Sequence, residues 1–70
     1  MIFIFDTVDR DYCTGDEKNL WSPNKKKAKK FLTLDSAFLE LEDCDQSALM
    51  RGRLVVIDTV KHRKYYAYPR

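Results

Sequence analysis

The sequence predicts an α+β fold: a small, mostly antiparallel sheet of about four strands, in the order β-β-α-β-β, with one main helix packed on one face. Three observations point there. Two runs, IFIFDTV at 2–8 and RLVVIDTV at 53–60, are rich in the β-branched and aromatic residues that suit strands. Between them Leu34, Ala37, Phe38 and Leu41 recur at i, i+3, i+4 and i+7, which places an apolar stripe along one side of a helix. The chain has 70 residues, enough for one small core and no second, so residues 1–70 read as a single domain.

The first four residues of the 2–8 run lack clean alternation, so this strand is expected to lie centrally or to be covered on both faces. From Asp9 to Lys18 the sequence turns polar, with Gly15-Asp16 as turn chemistry and Tyr12 either extending the first strand or starting a return. Asn19 to Trp21 reads as a short second strand pairing back on the first, with Trp21 closing one end of the sheet. Ser22 followed by Pro23 predicts an N-cap and a proline at the first helical position, hence a short helical turn over the lysines that follow. Within that run Ala28 and Phe31 are the apolar positions, expected to point inward while the ammonium groups stay in water.

Thr33 is a second N-cap candidate and opens the main helix. That helix either continues through Cys44 and Ala48 to a stop at Gly52, or breaks near 43–46, where Asp43 and Asp45 are weak helix formers, and resumes in a turn through Leu49. RLVVIDTV is the third strand and Tyr65 to Tyr68 the fourth, joined as a hairpin by Lys61-His62-Arg63-Lys64. Alternation separates Val55 and Ile57 from Leu54 and Val56, and Tyr66 and Tyr68 from Tyr65 and Ala67, without fixing which set meets the helix. No internal repeat or low-complexity linker is read along the chain.

Hydrophobic content of 44% with few glycines and prolines belongs to a folded domain and not to a disordered tail. A roomy enclosed active site is not expected at this size. The residue patterns agree, because neither a G-x-x-x-x-G-K-S/T loop, nor G-x-G-x-x-G, nor H-E-x-x-H is present. His62, the single histidine, sits among cations with no carboxylate beside it to orient it, and reads as a solvated turn residue. Cys13 and Cys44 have neither C-x-x-C spacing nor clustered histidines, so they read as ordinary reduced thiols, a bridge between them staying open if the chain is exported. No metal or cofactor, and no enzymatic activity, is expected. The apolar opening from Met1 to Phe5 is too short for a signal or a membrane span, which makes a cytoplasmic protein without membrane contact the expectation.

Net charge is only +2, but its placement is uneven. Residues 1–17 are mostly acidic, 25–30 purely basic, 35–45 acidic, and 51–70 basic again. Lys25, Lys26, Lys27, Lys29 and Lys30 could bind phosphates or an acidic protein face with salt-dependent strength. The same run also fits a solvated helical turn that keeps the domain soluble. A second basic group, Lys61, Arg63 and Lys64, stands beside Tyr65, Tyr66 and Tyr68, residues suited to stacking on bases or anchoring an interface. The tyrosines fit half-buried sheet positions equally well. Whether the two basic groups share a face is not fixed by the sequence.

Trp21-Ser22-Pro23, Lys27-Ala28-Lys29, Phe31 and Thr33 to Ala37 form a pattern, W-S-P then K-A-K-x-F then T-x-x-S-A, that resembles one recurring in small phage and prophage proteins. The run Leu54 to Val60, with Ala67-Tyr68 after it, is similar to the closing hairpin of some small anti-CRISPR proteins. A helix opening on Thr33-Leu34-Asp35 and followed by a strand resembles the small phage inhibitor of bacterial RNA polymerase. These resemblances imply a class, a phage-type inhibitor that occludes a nucleic-acid-handling machine, and carry over no partner residues. The expectation is therefore a non-enzymatic binding protein, monomeric or a small homo-oligomer, that docks on a host protein or ribonucleoprotein. Its contacts would come from Lys25, Lys26, Lys27, Lys29 and Lys30, with Arg63, Lys64 and Tyr66 as a second region. Direct binding of DNA or RNA by the same lysines is the alternative.

Overall fold

The computed structural model describes residues 1–44 and 49–66, apart from the side chain of Cys44. Strands β1 (Ile2–Asp6), β2 (Asp11–Cys13), β3 (Trp21–Ser22), β4 (Leu54–Asp58) and β5 (Arg63–Tyr66) form one sheet in the order β3-β2-β1-β4-β5. Every neighbouring pair is antiparallel. A 3-10 turn, Lys25–Lys27, and helix α1, Leu34–Cys44, lie between β3 and β4 in the chain. The fold is α+β, and β1 is central as its unbroken apolar run predicts.

Among the described residues there are five strands where about four were expected, because Asp11–Cys13 turns back as a strand of its own. The cause is Asp6. Its Oδ1 accepts the N–H groups of Val8 at 2.9 Å and Asp9 at 3.1 Å, which bends the chain after β1 although Thr7 and Val8 have strand propensity. Arg10 completes the turn with φ 57°. The short strand near Trp21 consequently pairs with β2 and not with β1, through Tyr12↔Ser22 and Cys13↔Trp21.

Asp58 ends β4 in the same way. Its Oδ1 accepts the N–H groups of Val60 at 3.0 Å and Lys61 at 3.2 Å, and His62 takes φ 54°. The strand therefore stops at Asp58, short of the expected Val60, and the connection is Thr59 to His62. Arg63 and Lys64 belong to β5 and not to the loop. The expected ends of that strand, Ala67 and Tyr68, lie outside the described residues.

The turns that close the two hairpins share one local structure. Asp6-Thr7-Val8 matches Asp58-Thr59-Val60. Thr7 donates its N–H and its hydroxyl to the Arg53 carbonyl, both at 2.9 Å, while Thr59 donates the same two groups to the Met1 carbonyl at 2.9 and 3.2 Å. The β1 and β4 ladder runs from Ile2↔Asp58 through Ile4↔Val56 to Asp6↔Leu54, so a pseudo-two-fold axis through Ile4 and Val56 exchanges the hairpins. Arg53 and Met1 are counterparts under this axis, as are Asp9 and Lys61.

Helix α1 begins where Thr33 Oγ1 accepts the Ser36 N–H at 3.1 Å, the cap read from the sequence. Ala37 and Leu41 of its stripe are buried against Ile4, Cys13, Leu54 and Val56, with Leu49 closing the cluster and Leu34, Phe38, Trp21 and Tyr65 packed around it. The choice between a continuous and a broken helix falls on 45–48, outside the described residues. So does a Cys13–Cys44 bridge, which needs the Cys44 side chain; Cys13 itself is buried in the core. Gly52 stops the segment after Leu49, with φ 67° and its N–H on the Leu49 carbonyl at 3.0 Å.

The first cap is displaced from its expected place. Asn24, not Ser22, caps the 3-10 turn, its Oδ1 accepting the Lys26 N–H at 3.0 Å, and Ser22 lies in β3 instead. The turn ends at Lys27 because the next segment is tied to the sheet: Lys29 N–H reaches the Cys13 carbonyl at 2.9 Å and Phe31 N–H the Ile2 carbonyl at 2.8 Å. Ala28 is buried and Phe31 packs on the core, as their place among lysines suggested.

Candidate interaction surface

Strand register puts Ser22, Tyr12, Phe5, Val55 and Tyr66 in one row across the five strands, and Phe3, Ile57 and Lys64 in the next. Both rows lie on the face away from α1, because Ile4, Leu54, Val56, Cys13 and Tyr65, at the alternate positions, pack toward the helix. Tyr12 is the hinge of an aromatic group, its ring centroid 5.4 Å from Phe3 and 5.0 Å from Phe5. Lys25 reaches over this group from the 3-10 turn, with Nζ 5.6 Å from the Phe3 centroid. Phe3 and Val55 are buried, Phe5, Tyr12 and Ile57 half-buried, and Tyr66 is 60% exposed. Among the described residues, none of the strand positions on this face carries a negative charge.

Of the residues that the sequence singles out, the fold brings Lys25, Lys64 and Tyr66 onto this face. The rest are distributed elsewhere. Lys29 lies on the helix side, its Nζ 3.5 Å from a Glu40 carboxylate oxygen and 5.3 Å from the Phe31 ring centroid. Its stem crosses Gly15 so closely that a Cβ there would stand 2.7 Å from Lys29 Cδ. Lys30 lines a groove with Leu34 and Asp35. Lys26 and Lys27 are exposed in the 3-10 turn. Arg63 stands opposite Asp58 in the ladder, on the helix side, so consecutive Arg63 and Lys64 serve opposite faces. The lysine run is thus divided: Lys25 reaches over the face opposite α1, while Lys29 and Lys30 lie on the helix side.

Phe3, Phe5 and Tyr12 are members of this surface that sequence reasoning read only as strand residues. Their signal, a period of two, is present in the sequence. Recognising a row across strands also needs the register, and that depends on the tight turn at Asp6.

At one end of the sheet Arg53 holds Asp6 and Asp9 together. Its Nη2 lies 3.0 Å from Asp6 Oδ2 and 2.7 Å from Asp9 Oδ2. Desolvation disfavours the guanidinium charge, but the hydrogen bond to Asp9 and the coulombic fields of Asp6 and Asp9 outweigh it, and the Arg53 pKa is raised. A raised pKa contributes stability that is fully present below the ordinary arginine value, so this clamp is unchanged across the neutral range.

Among the described residues no group of three or more His, Cys, Asp or Glu could hold a metal ion, and no helix is long and apolar enough to cross a membrane. Comparison of the chain with protein families, with characterised proteins and with solved structures finds no match.

Proposed function

We propose that this is a non-enzymatic binding protein that docks its helix-free sheet face on an acidic surface of a host protein or ribonucleoprotein and blocks nucleic-acid handling there. The compartment proposed for this is the cytoplasm. One observation carries the reading: Lys25, Lys64 and Tyr66 flank the half-buried Phe5 and Tyr12 rings on the sheet face opposite α1. Such a face offers apolar contact at its centre and cations at its margin, the layout of an interface with an acidic partner. The inhibitor role rests on the phage-type sequence patterns, and Lys26 and Lys27 extend the cationic margin through the exposed turn.

Direct binding of single-stranded nucleic acid is the second reading, favoured by the half-buried Tyr12 and Phe5 rings beside Lys25, since bases stack on aromatic side chains. The test is a variant carrying Lys25→Glu, Lys64→Glu and Tyr66→Ala, compared with wild type in affinity capture from a bacterial lysate and in an oligonucleotide titration at two salt concentrations. Capture of a defined partner by wild type alone supports docking. Tight binding of free oligonucleotide that weakens steeply with salt replaces it with the second reading. Identical behaviour of variant and wild type in both assays removes this face from the function.

A further inference from the structure

The two hairpin turns place two aspartates in the same local structure with different surroundings. Asp6 and Asp58 are 3% and 5% exposed, and each spends Oδ1 on the two backbone N–H groups of its turn. Asp6 is also met by the Arg53 guanidinium, whose Nη2 donates to Oδ2 at 3.0 Å and whose Nε and Nη2 reach Oδ1 at 3.3 Å. Among the described residues, Asp58 Oδ2 accepts no hydrogen bond and makes no ion pair, because Arg53 is replaced at the equivalent position by Met1. This carboxylate borders an open groove of about 650 Å³. Phe31 and Leu34 form apolar wall, and two lip residues, Leu32 and Val60, are 97% and 76% exposed.

We propose that this groove seats an arginine side chain of a partner protein, its guanidinium on Asp58 Oδ2 and its methylenes against Leu32 and Val60. The Asp6 turn shows the chemistry. A planar guanidinium fits a carboxylate edge whose other oxygen is already held by backbone donors, and a buried carboxylate gains most from a charge-assisted partner. Lys30 and Lys61 line the groove and Arg63 stands opposite Asp58 in the ladder, and among the described residues no ion pair joins any of them to Asp58. Their charge works against an incoming cation, and Asp35 offsets part of it. The exposed leucine and valine at the lip favour a guanidinium carried on a protein surface, which covers them, over a free small cation. This site is on the helix side of the sheet and stands independently of the function proposed above.

The test uses amide NMR on the full chain with the peptide Ac-Leu-Arg-Leu-NH2 and its citrulline counterpart, which keeps the shape and removes the charge. Saturable shifts at the Val60 and Lys61 amides, at least tenfold tighter for arginine than for citrulline, are expected. Asp58→Asn should weaken the arginine peptide about tenfold. Should that variant unfold, two exposed substitutions decide. Leu32→Ser should weaken binding severalfold, and Lys61→Asp, which installs the counterpart of Asp9, should tighten it about tenfold. Equal binding of both peptides, no saturable shift in wild type and Lys61→Asp alike, or an Nζ–carboxylate contact from Lys30 or Lys61 to Asp58 in solution would overturn the proposal.

Discussion

Arg53 is the residue whose removal tests the first hairpin. Arg53→Met gives that hairpin the residue type of its counterpart and leaves Asp6 buried beside Asp9 with no cation, so the urea midpoint should fall clearly below that of a Lys64→Glu control. Backbone conformation makes a second prediction. His62 is an exposed residue at φ 54°, and His62→Gly should stabilise by up to about 1 kcal/mol, read from denaturant unfolding. Gly15→Ala should cost more than Gly52→Ala, since both have positive φ but only Gly15 has Lys29 across it. At this scale the sequence was informative about types and silent about distances. Thr33 as a cap, His62 as an exposed turn residue and Gly52 as a stop are legible because each acts within a few residues. The Asp6–Arg53 clamp is not, since its partners are brought together only by the ladder.

Elements were legible where their signal is periodic. The stripe Leu34, Ala37, Phe38 and Leu41 identifies α1, and the apolar runs identify β1 and β4. Strand ends were misread twice for one reason: Thr and Val after each aspartate look like strand continuation, while the aspartate side chain supplies the turn. The repeated Asp-Thr-Val was printed in the sequence, yet its meaning as a shared turn structure appears only with the pairing. Exchanging loops tests it. Placing Thr59-Val60-Lys61-His62 between Asp6 and Asp11 should keep the hairpin but lose the Asp9 contact to Arg53, lowering the midpoint. Placing Thr7-Val8-Asp9-Arg10 between Asp58 and Arg63 should be tolerated, with the amide spectrum of the sheet preserved.

For the whole molecule, helix α1 packs on one face of the sheet, and in a chain of this size the core is small, so each of its members counts. Leu41 is 2% exposed, and Leu41→Ala should cost about 2–5 kcal/mol. In a domain this small that is a large share of the total, and circular dichroism should show a population unfolded well below the wild-type melting temperature. The candidate surface was legible only in part. The sequence grouped Lys25, Lys64 and Tyr66 with Lys29 and Lys30 as one set of proposed contacts; the sheet puts the first three on one face and separates the other two onto the side of the helix.

The central ladder joins the opening segment of the chain to one more than fifty positions later, residues such as Ile2 and Asp58 meeting directly. During synthesis, β1 has no partner on that side until β4 has left the ribosome. That pairing can therefore form only late, after every element except β5 has been made.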